Sequence, residues 1–158
     1  MDQFTHTETG ADAVHTALAL GAELAAFRAG AGSAQRMLRT IQALTGARIV
    51  SLVRGAGRGR PQLVQSTARS LEMMLGLRDD MNNLKLKILR SAARVQLDGS
   101  SPVLGWRQVI PLDRSASQCR AILLHLAPDH DLSGLSRLAR DISAIWASVA
   151  RPEAVRPG

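Results

Sequence analysis

The sequence predicts an α+β domain, an antiparallel sheet with helices packed on its faces. Three observations lead there. The run Cys119-Arg120-Ala121-Ile122-Leu123-Leu124-His125-Leu126 is apolar on both sides of an extended chain, so it belongs inside a sheet covered on both faces. Strand-like segments come in two pairs joined by links of hairpin length, which favours antiparallel pairing. Segments with helical periodicity precede, separate and follow those pairs, and a purely helical bundle is excluded.

The first helix is expected over Ala11 to Ala29, with Val14, Leu18, Leu24 and Phe27 apolar, ending at Gly30-Ala31-Gly32. Ser33 is placed to cap a second helix through Leu44, in which Met37, Leu38, Ile41 and Leu44 recur at helical spacing, with Gly46 as its stop. Arg48 to Arg54 is short, β-branched and bounded by glycine, a strand whose hairpin partner is Gln62 to Thr67. From Ser70 to Leu97 the apolar stripe Leu71, Met74, Met81, Leu84, Ile88 and Val95 predicts one long helix, with Asp80, Asn83, Lys87, Arg90 and Arg94 on its polar side. Asp98-Gly99-Ser100-Ser101-Pro102 breaks it. Trp106 to Ile110 is a strand expected to stop at Pro111, Cys119 to Leu126 is its partner, and Leu132 to Ala150 closes the fold as an amphipathic helix.

A chain of 158 residues is one domain's worth, enough to bury roughly 70% of its unfolded surface without a metal or disulfide. The expected division is a flexible start at 1–10, one domain over 11–150 and a flexible tail at 151–158, where two prolines stand. Cys119 is the only cysteine, so no internal disulfide forms, and its place in an apolar strand implies a buried, reduced thiol and a cytoplasmic protein. The acidic, polar opening Met1-Asp2-Gln3 and the interruption of Ala13 to Phe27 by His15 and Glu23 argue against an export signal or a membrane span. Twenty basic residues against 13 acidic give a net charge of +7. That balance fits an acidic partner, but the arginines are spread along the chain and the absence of Tyr, with only two Phe, leaves few platforms for stacking bases.

The order of these elements resembles a GAF domain. The resemblance covers roughly residues 33–150 and rests on the helix Ala34 to Leu44, the strand Arg48 to Arg54, and Val109-Ile110-Pro111-Leu112 followed by Ala121 to Leu126. The closing helix with Leu138-Ala139 and Ile142 completes it. It implies a GAF/PAS-like fold with N- and C-terminal helices together, a sensory or regulatory role, a small-molecule pocket between the sheet and its variable helices, and a homodimer formed through the terminal helices.

Polar residues inside apolar strands mark where such a pocket would lie. Ser51 stands between Ile49 and Val53, Gln108 between Trp106 and Ile110, and His125 two residues after Leu123. Together with Trp106, these three are expected to line one sheet face, with Met74 and Met81 as a flexible, polarizable lid. Each polar group has an alternative use, satisfied by backbone or water.

Catalytic and metal readings fare worse. Cys119 and His125 are six residues apart on one strand, about 20 Å at ~3.3 Å per residue, too far for a nucleophile and its base. Reduction of free methionine sulfoxide, known in the GAF-like group, uses several cysteines. His125, Asp129, His130 and Asp131 offer metal-ligand types, but Asp131 precedes a helix, where a carboxylate caps, and no second cluster completes a site. Gly55-Ala56-Gly57-Arg58-Gly59 lacks the Lys-Ser/Thr of a phosphate loop. Arg58-Gly59-Arg60-Pro61, with Arg54, is similar to the core of an AT-hook, whose arginines enter a narrow minor groove; the same glycines and proline also suit a hairpin loop. The reading is therefore a noncatalytic regulatory module without a cofactor, binding a small molecule or a protein partner. Binding of DNA or another acidic partner through Arg54, Arg58 and Arg60 is the alternative.

Overall fold

The computed structural model describes residues 18–30, 32–55, 60–97, 105–114 and 119–150. The expectations for residues 1–17 and 151–158, including the start of the first helix and both terminal segments, lie outside that range. Helix α1 occupies residues 18–28 and α2 Ala34–Thr45. The Ser33 hydroxyl accepts from the Arg36 N–H at the start of α2, and Gly46, in the left-handed region at φ 72°, ends it by donating to the Gln42 carbonyl. Both terminal signals act where the sequence puts them. Strands β1 (Ile49–Gly55) and β2 (Gln62–Ser66) follow, then helix α3 (Leu71–Asn82), capped by the Ser70 hydroxyl accepting from Met73 N–H. A short 3-10 helix (Leu86–Arg90), β3 (Arg94–Leu97), β4 (Gly105–Arg114), β5 (Cys119–Leu126) and α4 (Leu135–Ala150) complete the order.

The five strands form one antiparallel sheet in the order β2-β1-β5-β4-β3. β5, the strand apolar on both faces, is the central one, and seven of its eight residues are buried. Val50, Leu52, Ile110, Ile122 and Leu124 point to one side, where α1, α2 and α4 cover them with Leu24, Met37, Ile41, Ile142 and Trp146. Ile49, Val53, Val109, Ala121 and Leu123 point to the other, under Leu77, Met81, Leu84 and Leu89. Period-two alternation thus divides the strands between two cores, and the domain is a helix–sheet–helix sandwich. The terminal helices lie together: the rings of Phe27 in α1 and Trp146 in α4 are 6.1 Å apart, and the guanidiniums of Arg28 and Arg120 sit 5.2 and 5.0 Å from the Trp146 ring centre. Asp113 accepts from the Trp146 indole at 2.9 Å and from Arg120 Nε at 2.5 Å, satisfying both within the clasp.

Three expectations are corrected. Residues 70–97 are not one helix. Of the expected apolar stripe, Leu71, Met74 and Val95 are exposed, and the buried side of α3 is Gly76, Leu77, Asp80 and Met81. The helix ends at Asn82-Asn83, where the Asn83 amide turns back to the Asp79 carbonyl, a local bond that competes with helix continuation. Arg94 to Leu97 then pairs with Gln108 to Gly105 as a fifth strand, so Lys87, Arg90 and Arg94 share no helix face. Second, β4 runs through Pro111 to Arg114. β3 ends its pairing at Gln108, so Pro111 lies on an unpaired edge next to a register shift, where the lost N–H removes no ladder bond. Third, α4 begins at Leu135, because Asp131 Oδ1 accepts from the Ser133 N–H and hydroxyl and Gly134 turns the chain at φ 75°.

Candidate functional site

The face beneath α3 carries the polar chemistry. Arg107 on β4 and His125 on β5 are direct cross-strand partners, so their side chains leave the sheet together. Asp80, on the buried side of α3, reaches down between them. Its Oδ1 accepts from Arg107 and its Oδ2 from His125 Nε2 at 2.7 Å. All three are buried, at 6%, 6% and 1% exposure for Asp80, Arg107 and His125. One carboxylate thus neutralises one guanidinium, and an imidazole uses the remaining oxygen, fixing α3 to the middle of the sheet. Among the described residues, Arg107 Nε and His125 Nδ1 are buried without a hydrogen-bond partner.

Beside this latch the same face is open. The 3-10 helix lies directly on β4, β5 and β1, whereas α3 stands further off the sheet. Edge strand β2 consequently has little cover. Between it and α3 runs a groove of about 530 Å³, walled by Leu63, Met74, Leu75, Leu77 and Met81, with Ser66 at its floor and Arg78 and Asn82 at its rim. Leu63, Met74 and Leu75 remain 45%, 55% and 49% exposed. Ser51, wholly buried behind Ser66, donates to its hydroxyl at 3.2 Å, and Ser66 Oγ also accepts from Ala68 N–H. The floor hydroxyls are thereby ordered. A mostly apolar cleft with a few fixed polar groups is the form a small-molecule site takes.

Six residues were expected to form one ligand site, and the structure divides them. Ser51 and His125 share the face beneath α3, while Met74 and Met81 line the groove itself. Gln108 and Trp106 do not join them. Period-two alternation turns both to the opposite face, where Trp106 packs against the core under α1, α2 and α4. The Gln108 Nε2 donates to the Ala92 and Val109 carbonyls, and its Oε1 is buried without a partner among the described residues. The cross-strand neighbour of His125 is Arg107, one residue away from Gln108, and the two side chains meet at Asp80.

Asp80 and Arg107 were missed for related reasons. Leu77, Asp80, Met81 and Leu84 lie at i, i+3, i+4 and i+7, so a helix placing the three apolar residues inward also buries the aspartate. The stripe drawn through Leu71 and Met74 put it outward instead. Arg107 has the strand parity of Val109, which is core-facing; pairing a lone buried cation with a lone buried anion was the available signal.

Elsewhere the side chains stay apart. Cys119, buried, and His125 occupy the two ends of β5. Ser51 is diagonal to His125 across β1 and β5, but its hydroxyl goes to Ser66. Among the described residues no three His, Cys, Asp or Glu side chains gather as metal ligands. Asp131 binds Ser133, whose N–H and then hydroxyl hold its carboxyl below the ordinary value of 3.8. Arg54 is exposed near the end of β1 and Arg60 is exposed before β2; Arg58 lies outside the described residues. No helix among the described residues is long and apolar enough to cross a membrane.

No protein-family model matches the chain, and neither does any curated protein. A solved structure does. The chain is similar to CepR2 from Burkholderia cenocepacia, an N-acylhomoserine lactone dependent transcription factor of the LuxR family, with 17% identity and a TM-score of 0.52. The match spans 89% of this chain and 94% of that one. At that identity the likeness is one of fold: an antiparallel sheet between helical layers.

Proposed function

We propose that this chain is a noncatalytic regulatory module that binds a small molecule in the groove between α3 and β2. The observation that carries the reading is the groove itself: about 530 Å³, apolar in its walls and ordered in its hydroxyl floor. Three large apolar side chains on its lining stay exposed, which costs solubility unless something covers them. The shared fold supports the class of role, since CepR2 depends on an acylated small molecule. A ligand joining an apolar chain to a compact polar head matches this lining in the same general way.

The regulatory step is a shift in α3. Leu77 and Met81, with Met73 partly buried, pack α3 on the core, so a ligand wedged against Met74 and Leu75 acts on the same helix that Asp80 latches to Arg107 and His125. The GAF-like architecture, a cytoplasmic location and a homodimer through α1 and α4 belong to this proposal as well. A thermal-shift screen of small amphiphiles tests it. A bound compound raises the melting temperature by mass action, and Met74→Glu, an exposed position whose change spares the core, abolishes the rise. Stabilisers unaffected by Met74→Glu would remove the groove from the account.

A further inference from the structure

The groove's charge distribution narrows its ligand. Its lining contains one ionisable side chain, Arg78, and no carboxylate. Arg78 is exposed at the rim and forms no ion pair among the described residues. Its helical neighbours explain why. The positions three and four residues away are Leu75 and Met74 before it, and Met81 and Asn82 after it, none of them acidic. The acidic residues of α3 are directed elsewhere: Asp80 is committed beneath the helix to Arg107 and His125, while Glu72 and Asp79 are exposed and lie outside the groove lining.

From this charge complementarity we infer that the groove takes an anionic single-chain amphiphile, its aliphatic tail along Leu63, Met74, Leu75 and Leu77 and its carboxylate on Arg78. The inference rests on the groove being the ligand site and adds the head-group chemistry. A guanidinium with no competing carboxylate is free to form the paired, charge-assisted hydrogen bonds that a carboxylate accepts. Asn82, one turn further along α3 at the same rim, offers an amide donor beside it. The tail needs no polar partner, and the volume lies within the ~300–1,000 Å³ usual for such clefts. The net charge of +7 adds a general attraction for anions without selecting this site.

The test is calorimetric titration of the whole chain with decanoate, below its micelle concentration, and with decan-1-ol, which has the same tail and no charge. Decanoate is expected to bind about tenfold more tightly, the worth of roughly 1.4 kcal/mol. In Arg78→Gln the two probes bind equally, and in Met74→Glu neither binds. Equal affinity of the two probes for the unaltered chain, or a preference for decanoate that survives Arg78→Gln, overturns the head-group assignment and leaves the groove as the site. Binding of both probes that survives Met74→Glu overturns the groove and the head-group assignment together, as does failure of both probes to bind the unaltered chain.

Discussion

The Asp80 latch makes a sharp energetic prediction. Asp80→Asn preserves shape and still offers His125 an acceptor, but it leaves the Arg107 guanidinium, 6% exposed, with no counter-charge. Breaking a buried pair from one side costs about 3–5 kcal/mol, which for a chain of this size is a fall of ~6–20 °C in melting temperature. Adding Arg107→Met removes the stranded charge while keeping most of the side-chain volume. The double variant should therefore recover about 2 kcal/mol relative to Asp80→Asn, because replacing both charges is close to neutral where removing one is not. Urea unfolding followed by circular dichroism reads both quantities from midpoint and slope. Asp80→Asn within about 1 kcal/mol of the parent chain, or a double variant losing the sum of the two single losses, would refute the latch as a buried charge pair.

Two further outcomes follow from local geometry. Gly105 opens β4 at φ 134°, and a Cβ there would stand 2.0 Å from the Leu126 carbonyl oxygen, so Gly105→Ala should cost at least ~1–3 kcal/mol in chemical unfolding. Asp131 is held below its ordinary 3.8 by the Ser133 N–H, then by the Ser133 hydroxyl, with His130 assisting; burial opposes them. A depressed folded-state value means that its contribution is present above pH 3.8 and lost as the pH falls through the folded value. Carbon-detected NMR titration should place the Asp131 midpoint below 3.8, and a midpoint above it contradicts the turn geometry.

The parts of the fold legible in the sequence are those where short-range chemistry and burial agree. Ser33 and Gly46 bracket α2 as capping predicts, and β5 is central because neither of its faces carries a run of polar residues. The segment 70–97 was misread because two apolar registers compete on it. Leu71 is exposed and Met74 stands on the open side of the groove, whereas Leu77 and Met81 belong to the core, and a single stripe cannot satisfy both. β3 was invisible: Arg94 to Leu97 is short and mostly exposed, and only its partner β4 makes it a strand. At the candidate site, His125 and Ser51 were legible as polar residues in apolar strands. Asp80 was not, because its burial depends on a guanidinium and an imidazole brought from strands that lie far away in the sequence.

Most directly, the central claim that the ligand site is the groove between α3 and β2 is tested by a backbone amide shift map. The most stabilising compound from the thermal screen is titrated into labelled protein. Shifts centred on Leu63, Ser66, Ala68, Leu75 and Arg78, fading toward α4, are the predicted result. Shifts centred on Trp106, Gln108 and Trp146, across the sheet, would contradict it.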